Sequence, residues 1–440
     1  MGLGNEVRAR GTGVDGGNKL RVGIVAACPF PCNHGTPGGI REKAEALAEL
    51  GHEVHVITYA SCQPGEVRGV KIHRIPAFGP VNDVRVGPSV AKIFWNIALI
   101  FKLIQVVWRE RLDVLHGINY EGAMIGWAAK VVTGRPLVYG AVNTMIDELH
   151  TYKFIRPQWL AKGLARVLDW AVPRMADRIV CYTHAIKNFL VDSGIPAHRV
   201  IEVKLGIDLS MFADAKPGNA RERMGVNGDE LVMYTGVLNK FQRIDYLLDA
   251  MKIVLAERPN AKVAFVRTLD DEEHRREVHR AAEERGVAHA CVYPPILEFA
   301  ELPAFIAAAD LTVVPRPDCP GVPVKLLNFM AAGKPVVVTK GSSQGLRDGV
   351  EALVTADHDT EAMGRAILRV LDDAALAAEL GRRARIVAYS EYDRLAAARH
   401  LADVYRESME FGGAAARQRE PIAAELESPS AVAASPSGGN

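Results

Sequence analysis

Short runs of β-branched and other apolar residues alternate with helical stretches along most of this chain, and this alternation constrains the fold more than any other feature. The runs are apolar at nearly every position, which is typical of strands in a parallel sheet that helices cover on both faces. One series of predicted strands lies at 20–27, 53–59, 70–75, 114–115, 137–139, 178–182 and 200–204. A second series lies at 231–234, 262–266, 290–293, 311–314 and 335–339. The sequence therefore predicts the α/β fold class, with two doubly wound, Rossmann-like domains.

The alternation pauses at 206–229, where Gly, Pro, Asn and charged residues replace the periodic pattern. We place the domain boundary there, with one domain at 20–207 and the other at 208–387. Residues 1–19 are rich in Gly and charge, and residues 410–440 become rich in Ala, Ser, Pro and Gly, so both ends are predicted to be disordered tails. Ligands of such sheets bind beyond the carboxyl ends of the strands, so we expect the site in the cleft between the two domains.

Charge and cysteine usage exclude several classes of protein. The 53 basic and 52 acidic side chains nearly cancel, which argues against a nucleic-acid partner. The six cysteines form no CxxC pair and no zinc-type spacing, so they are predicted to be reduced thiols of a cytoplasmic protein. Residues 1–19 lack the apolar segment of a secretory signal, and no stretch has the apolar length of a membrane span.

Two segments of the first half carry candidate chemistry. A turn rich in Pro and Gly follows the first strand, and Gly38 and Gly39 would let backbone N–H groups approach a phosphate or sugar. The turn lacks the dinucleotide GxGxxG pattern. Further along, His116 ends a strand, and Glu121 opens the next helix, for which Asn119 is a candidate cap. His116 and Glu121 have the right chemistry for sugar binding or acid–base catalysis.

The second half contains two more such segments. A strand ends at Gly236 and is followed by Lys240 and Arg243. Later, Arg316 and Lys325 flank the predicted start of a short helix, where charge and helix dipole together favour a diphosphate. On this pattern alone, a solvated helix charge is the other interpretation of Lys325.

Taken together, the segments PFPCNHGTPGGI, GHEVHVIT, ADRIV and KLLNFMAAGKPVVVT resemble glycosyltransferase family 4, the retaining GT-B enzymes. The resemblance covers about residues 20–406. It implies two Rossmann-like domains that face a cleft, and a final helix at 388–409 that returns to the first domain. It also implies transfer of a sugar, with retention, from a nucleotide-sugar donor to an alcohol acceptor. That acceptor would be a polysaccharide precursor, a lipid-linked molecule or a small molecule. No metal or other cofactor is expected.

The sequence departs from the family at several site positions. The family's diphosphate-binding Arg and Lys fall on Val237 and Gln242, and its glutamate pair falls on Pro320 and Asn328. Its histidine after the fifth strand is replaced by a segment that contains Asn143. The predicted catalytic residues are therefore His116, Glu121 and Asn143. The predicted donor-binding residues are Gly38, Gly39, Gly236, Lys240, Arg243, Arg316, Lys325 and Asn328.

These departures leave two other functions open, namely a non-catalytic GT-B module that binds a sugar nucleotide and a nucleotide-sugar epimerase. A peripheral contact with the inner membrane face through residues 90–111 is a further prediction. Trp95 and Trp108 lie near the two ends of that helix, and its polar side is cationic until Glu110. The alternative is an ordinary helix packed on the sheet.

Overall fold

A computed structural model describes residues 19–31, 35–60, 67–77, 90–149, 158–226, 228–268, 272–317, 319 and 321–425. The strands in these ranges lie in two parallel sheets, one of seven strands and one of six, which confirms the predicted fold class. The seven-stranded sheet has the order β3-β2-β1-β4-β5-β6-β7. Its strands are β1 (Arg21–Ala26), β2 (Glu53–Thr58), β3 (Val70–Arg74), β4 (Val114–Ile118), β5 (Leu137–Ala141), β6 (Arg178–Cys181) and β7 (Val200–Glu202).

The second sheet has the order β10-β9-β8-β11-β12-β13. Its strands are β8 (Leu231–Thr235), β9 (Lys262–Val266), β10 (Cys291–Val292), β11 (Leu311–Val314), β12 (Val336–Thr339) and β13 (Leu353–Thr355). The division of strands between the sheets follows the two predicted domains, whose exact bounds stay a prediction. The edge strand β13 was not among the predicted strands.

Helices cover both faces of each sheet. The first half contributes α1 (Gly35–Glu49), α2 (Val90–Glu110), α3 (Asn119–Thr133), α4 (Met145–Glu148), α5 (Gln158–Met175), α6 (His184–Asp192), α7 (Ser210–Ala213) and α8 (Ala220–Met224). The second half contributes α9 (Ile244–Glu257), α10 (Glu272–Glu284), α11 (Leu302–Ala308), α12 (Val324–Ala331), α13 (Thr360–Asp372), α14 (Ala374–Glu391) and α15 (Arg394–Glu425). None of the helices in the described ranges is long and apolar enough to cross a membrane.

The first sheet has a different set of helices on each face. Apolar side chains of α2, α3 and α5 form one core with it, and those of α1 and α15 form another core on the opposite face. Helix α15 is the returning helix that the family resemblance implied. It continues to Glu425, so the tail predicted to be disordered from residue 410 is helical over its first part. Ala, Arg, Gln and Glu dominate that part and have high helix propensity.

Each sheet contains one point at which the strand order reverses. In the first sheet this switch point lies between β1 and β4, and in the second it lies between β8 and β11. The loops that leave two adjacent strands there diverge to opposite faces and leave a crevice beyond the carboxyl ends. The predicted turn with Gly38 and Gly39 follows β1, and Gly236 and Arg316 follow β8 and β11. Both predicted phosphate-binding regions therefore start at switch points.

The linker between the domains is joined to the start of α15 at very short range. A Cβ atom on Gly206 would lie 2.4 Å from the Cα of Arg394. The Arg394 guanidinium contacts Glu49 of α1 at 2.7 Å and Asp208 of the linker at 3.6 Å. The Ile207 amide donates to the Tyr392 carbonyl at 3.0 Å. This joint ties the linker to both the returning helix and the first domain.

We expect Gly206→Ala to lower the free energy of unfolding by on the order of 1–3 kcal/mol, because the added methyl group meets backbone that cannot move away easily. Urea denaturation measures the loss. The matched control is Gly163→Ala in α5, where a Cβ atom meets nothing within 4 Å. That variant should be neutral or more stable by up to about 1 kcal/mol, since alanine favours the helix. Equal stability of the two variants would contradict the close approach.

Candidate functional site

The crevice of the second sheet is built from the loops after β8 and β11 and from the start of α12. Gly236 follows β8 with a φ of 113°, a conformation that glycine adopts without strain. Its missing side chain leaves space for the Lys325 ammonium, since a Cβ atom there would lie 3.2 Å from Lys325 Nζ. Glycine at this position therefore lets a cation of α12 reach the carboxyl end of β8.

Lys325 points back into the crevice rather than into solvent. Its Nζ donates to the Tyr234 hydroxyl and, at 3.0 Å, to the Gln242 amide oxygen. It also lies 3.8 Å from the centroid of the Tyr234 ring. Burial of the ammonium, together with repulsion from Arg316, holds the pKa of Lys325 well below its ordinary value. The alternative interpretation of Lys325 as a solvated helix charge does not fit this position.

Arg316 provides a second cation at the same switch point. Its guanidinium carbon lies 3.6 Å from the centroid of the Phe241 ring, which belongs to the loop after β8. The Arg316 carbonyl accepts hydrogen bonds from the hydroxyls of Thr339 and Ser342, at 2.6 and 2.5 Å, and these bonds fix its backbone. Burial lowers the pKa of Arg316 from its ordinary value. Within the described residues, neither Arg316 nor Lys325 has a carboxylate within ion-pair distance.

The other two predicted cations are directed elsewhere. Arg243 forms a bidentate ion pair with Asp245, at 3.0 and 2.8 Å, and stacks on Tyr246 at 3.6 Å. Lys240 lies on the exposed surface of the loop. Of the four cations that could replace the family's Arg and Lys, Arg316 and Lys325 are the two that meet in the crevice. They are also the two cations that the sequence analysis placed on either side of a helix start, at α12.

Asn328 lies one turn after Lys325 in α12 and is buried. Its amide can hydrogen bond to a hydroxyl but brings no charge to the site. Pro320, the other position of the family's glutamate pair, lies outside the described residues.

On the first domain, two predicted residues lie near the facing loops. Asn143 follows β5 and is half-buried. Its neighbour Val142 meets the second domain, since the Val142 carbonyl oxygen would lie 3.5 Å from a Cβ atom on Gly321. Glu121 lies in the first turn of α3, beside the switch point of the first sheet. Both positions are compatible with contact to a ligand in the cleft, and their roles stay a prediction.

His116 does not lie where acid–base catalysis could use it. Its ring is fully buried in the middle of the core, and Nδ1 lies 2.7 Å from the Tyr405 hydroxyl of α15. Burial, with a contribution from Lys43, lowers the pKa of His116 well below its ordinary value. The prediction failed because the strand containing His116 extends to Ile118, so the ring lies under α15 rather than at the strand end. A polar contact between the sheet and the returning helix is its observed role.

Two smaller corrections concern the starts of helices. Asn119 is the first residue of α3 with a φ of 59°, and its side chain caps no helical N–H group. Asparagine tolerates this left-handed conformation, which turns the chain sharply from β4 into α3. Gly38 and Gly39 lie within α1, which begins at Gly35, so they do not form an open turn. Gly39 instead lines a cavity of about 20 Å³, which has room for a water molecule but not for a sugar.

That cavity is lined by two titratable side chains that the sequence interpretation missed. Lys43 Nζ donates to the Tyr182 hydroxyl, and burial lowers the pKa of Lys43 to about 7. Burial and the nearby Asp208 carboxylate raise the pKa of Glu42 to about 7. The spacing of Lys43 from the buried Ile40 and Leu47 was an available signal, because residues three and four apart share a helix face.

The described residues also contain one group of side chains close enough to share a metal ion, formed by Glu53, His55 and Glu110. Lys71 already contacts both carboxylates there, at 2.7 and 3.4 Å. The group lies on β2 and at the end of α2, away from the crevices described above. It therefore adds nothing to the candidate site.

The lowered pKa of Lys43 predicts a pH-dependent stability. Between about pH 10 and pH 7 the unfolded chain binds a proton that the folded protein does not, so wild-type stability rises with pH across this window. Lys43→Met removes the titration. We expect the variant to have a higher free energy of unfolding than wild type, as measured by urea denaturation. This difference should shrink as the pH rises from about 7 to 10. Lys252→Met, at an exposed lysine of α9, is the control and should differ from wild type by a constant amount.

Comparison with known proteins agrees with this geometry. A family model described as "Glycosyl transferase 4-like domain" matches residues 35–206, and one described as "Glycosyl transferases group 1" matches residues 229–373. The chain is 28% identical to a D-inositol 3-phosphate glycosyltransferase of Thermobispora bispora over 422 residues, which span 89% of this chain and 95% of the relative.

Solved structures share the arrangement of both domains. Sucrose-phosphate synthase from Thermosynechococcus elongatus superposes with a TM-score of 0.76 at 18% identity, over 88% of this chain and 99% of that protein. Anabaena Alr3699/HepE in complex with UDP-glucose gives a TM-score of 0.69 at 17% identity, over 88% and 100%. The family resemblance and the GT-B fold predicted from the motifs are thereby confirmed. This chain belongs to the group 1, family 4-like glycosyltransferases, the retaining enzymes of the GT-B fold.

Proposed function

We propose that this glycosyltransferase binds the diphosphate of its nucleotide-sugar donor at the switch point of the second sheet, against Lys325 and Arg316. The observation that carries the proposal is a pair of neighbouring, largely buried cations for which the described residues provide no carboxylate. Two such cations repel each other, and a bound dianion would remove the repulsion. The start of α12 adds the N–H groups and positive dipole end that favour an anion.

The chemistry of the step follows from that charge. The bond between the anomeric carbon and the diphosphate oxygen breaks as the acceptor hydroxyl oxygen bonds to the same carbon. In the front-face mechanism expected for the family, the acceptor proton passes to the departing diphosphate. Lys325 and Arg316 would stabilise the negative charge that grows on that leaving group. No protein nucleophile and no metal ion is included in this proposal.

Lys325 would also compensate for the family lysine that this chain replaces by Gln242. The Gln242 amide oxygen lies 3.0 Å from Lys325 Nζ, so an ammonium group occupies the neighbourhood of the substituted side chain. Asn328 would hydrogen bond to a sugar or ribose hydroxyl in place of the family's glutamate. The diphosphate charge would then be met from α12 rather than from the loop after β8.

For the acceptor, we propose a hydroxyl of a small phosphorylated polyol, bound on the first-domain side near Glu121 and Asn143. The support is the printed activity of the relatives, which are D-inositol 3-phosphate glycosyltransferases at 26–28% identity. A polysaccharide precursor and a lipid-linked alcohol are the other acceptors to test. The cytoplasmic location, with a peripheral contact of residues 90–111 at the inner membrane face, stays a prediction.

A panel of UDP-, GDP- and TDP-sugars, each with D-inositol 3-phosphate, inositol and a lipid-linked alcohol, tests the proposal. Transfer from one donor class to D-inositol 3-phosphate, with the anomeric configuration retained, would support it. Donor binding without turnover on any acceptor would favour a non-catalytic module. Conversion of the donor sugar to its epimer would favour an epimerase.

We expect Lys325→Met to weaken binding of the donor nucleoside diphosphate by about 1.5–3 kcal/mol, the contribution of a charge-assisted hydrogen bond. Isothermal titration calorimetry measures the affinity. Lys334→Met is the matched control, because Lys334 is also a partly buried lysine of the second domain and donates to the Ala309 carbonyl at 2.7 Å near the opposite ends of the strands. The control should keep its affinity. A similar loss of affinity in both variants would argue against the site.

Donor binding should also take up a proton. The pKa of Lys325 is lowered in the ligand-free protein, and a bound diphosphate favours the charged ammonium and raises that pKa. The affinity for the donor should therefore fall as the pH rises from the pKa of Lys325 in the ligand-free protein to its pKa in the donor complex. Titrations in two buffers of different ionisation enthalpy should give different apparent binding enthalpies. In Lys325→Met this difference should disappear, and an unchanged difference would contradict the assignment.

A further inference from the structure

The outward sides of α2, α3 and α5 form an apolar surface, which we call the three-helix face. All three helices pack on the same face of the first sheet, and α3 lies between the other two. Their outward sides therefore point in the same general direction. On α2 the exposed apolar residues are Ile93, Phe94, Ile97, Phe101 and Trp108, and on α3 they are Trp127, Val131 and Val132. On α5 they are Trp159, Leu160, Leu164, Val167 and Trp170.

Helix α2 has two apolar stripes rather than one. Leu99, Leu103 and Val106 lie on the buried stripe that packs on the sheet. Phe101 and Trp108 lie on the opposite side, with exposures of 69% and 63%. A helix that only covers the sheet would need the first stripe alone. The second stripe has no partner among the described residues and has the spacing of a helix that buries a second side.

Tryptophan is concentrated on this face. The chain contains five tryptophans, and four of them are exposed on the three-helix face, with Trp159 at 73%. The fifth, Trp95, is buried and contacts Tyr59, so one of the two tryptophans predicted to lie in an interface serves the core instead. Large aromatic side chains left in water are costly in a monomer, whereas at the boundary between water and lipid they are favoured.

The charges beside the apolar residues have one sign. Arg109 and Arg111 at the end of α2, and Lys162 and Arg166 on α5, are exposed. Among the described side chains of the three helices, the acidic ones are not exposed. Glu110 contacts Lys71 and the exposed Arg109, each at 3.4 Å, so it offsets part of the charge of Arg109. Asp169 is buried against the amides of Met145 and Ile146, and Glu121 is half-buried. The face therefore combines apolar side chains with cations.

This charge pattern distinguishes the available partners. A second copy of the chain, related by two-fold symmetry, would bring the same cations together across the interface. An anionic lipid surface complements them, and its acyl boundary accepts the aromatic and aliphatic side chains. We propose that the three-helix face docks on an anionic lipid bilayer, with its apolar side chains in the interfacial layer and its cations at the headgroup phosphates. The inference does not depend on the donor site or on the acceptor.

Flotation with unilamellar vesicles tests the proposal on the full chain. We expect binding to vesicles of phosphatidylglycerol and phosphatidylcholine in equal parts, weak binding to phosphatidylcholine alone, and loss of binding at high salt. Tryptophan emission should shift to the blue on binding, because four of the five tryptophans enter a less polar layer.

Paired substitutions identify the face. Phe101→Ser with Trp159→Ser should weaken vesicle binding at least about tenfold, since two large apolar side chains are removed. Ile296→Ser with Ile386→Ser is the matched control, because both residues are exposed apolar residues of the second half of the chain, and binding should be unchanged. Arg109→Gln with Arg166→Gln should weaken binding to anionic vesicles by about fivefold for each charge.

Three results would overturn the proposal. The first is wild-type protein that stays unbound with anionic vesicles at low salt. The second is a dimer in light scattering that the Phe101→Ser with Trp159→Ser variant converts to a monomer, in a protein that binds no vesicles. The third is equal vesicle binding by this variant and its control, which would show that another surface is responsible.

Discussion

The site depends on one geometric constraint, which is that parallel strands all end at the same edge of their sheet. Covering both faces with helices forces this arrangement, because each strand must be followed by a crossover before the next begins. Loops that leave neighbouring strands on either side of a switch point then separate and leave backbone and side chains exposed at the crevice. Gly236 and Arg316, 80 positions apart in the sequence, become neighbours in this way.

Placing unpaired cations in such a crevice costs stability. Other cations of the protein pair with carboxylates, as when Arg243 pairs with Asp245 or Arg258 bridges Glu230 and Asp372. Lys325 and Arg316 are instead held by a tyrosine hydroxyl, an amide oxygen and an aromatic ring. Neutral partners orient a cation without neutralising it, so its charge remains available to a ligand. The lowered pKa values of both groups express the same cost.

Comparison with the family pattern shows that a site can retain a cation even when the residue that supplies it lies at a different sequence position. The family lysine position is Gln242, but the amide of Gln242 accepts a hydrogen bond from Lys325, which reaches the same crevice from α12. The missing side chain of Gly236 makes that reach possible. A residue-by-residue comparison reports a lost cation, whereas the folded chain retains one. Asn328 is a neutral amide, so it brings no carboxylate charge to the position of the family's second glutamate.

The sequence by itself determined the fold class, the family and the described strands other than β13, because these depend on apolar periodicity and on local motifs. It also identified Lys325 and Arg316 as candidates, since both flank the start of a helix.

Only the tertiary structure decided which candidates meet. His116 is separated from the cleft because α15 lies over it, with Tyr405 of that helix 289 positions later in the sequence. Gly38 and Gly39 were assigned to a turn that is in fact the first part of α1. For His116 the deciding contact joins residues that are distant in sequence, and local pattern contains no information about such contacts. The exposed apolar residues of α2 and α5 also required the tertiary structure. Periodicity predicts that a helix face is apolar, but only packing shows whether another element covers it.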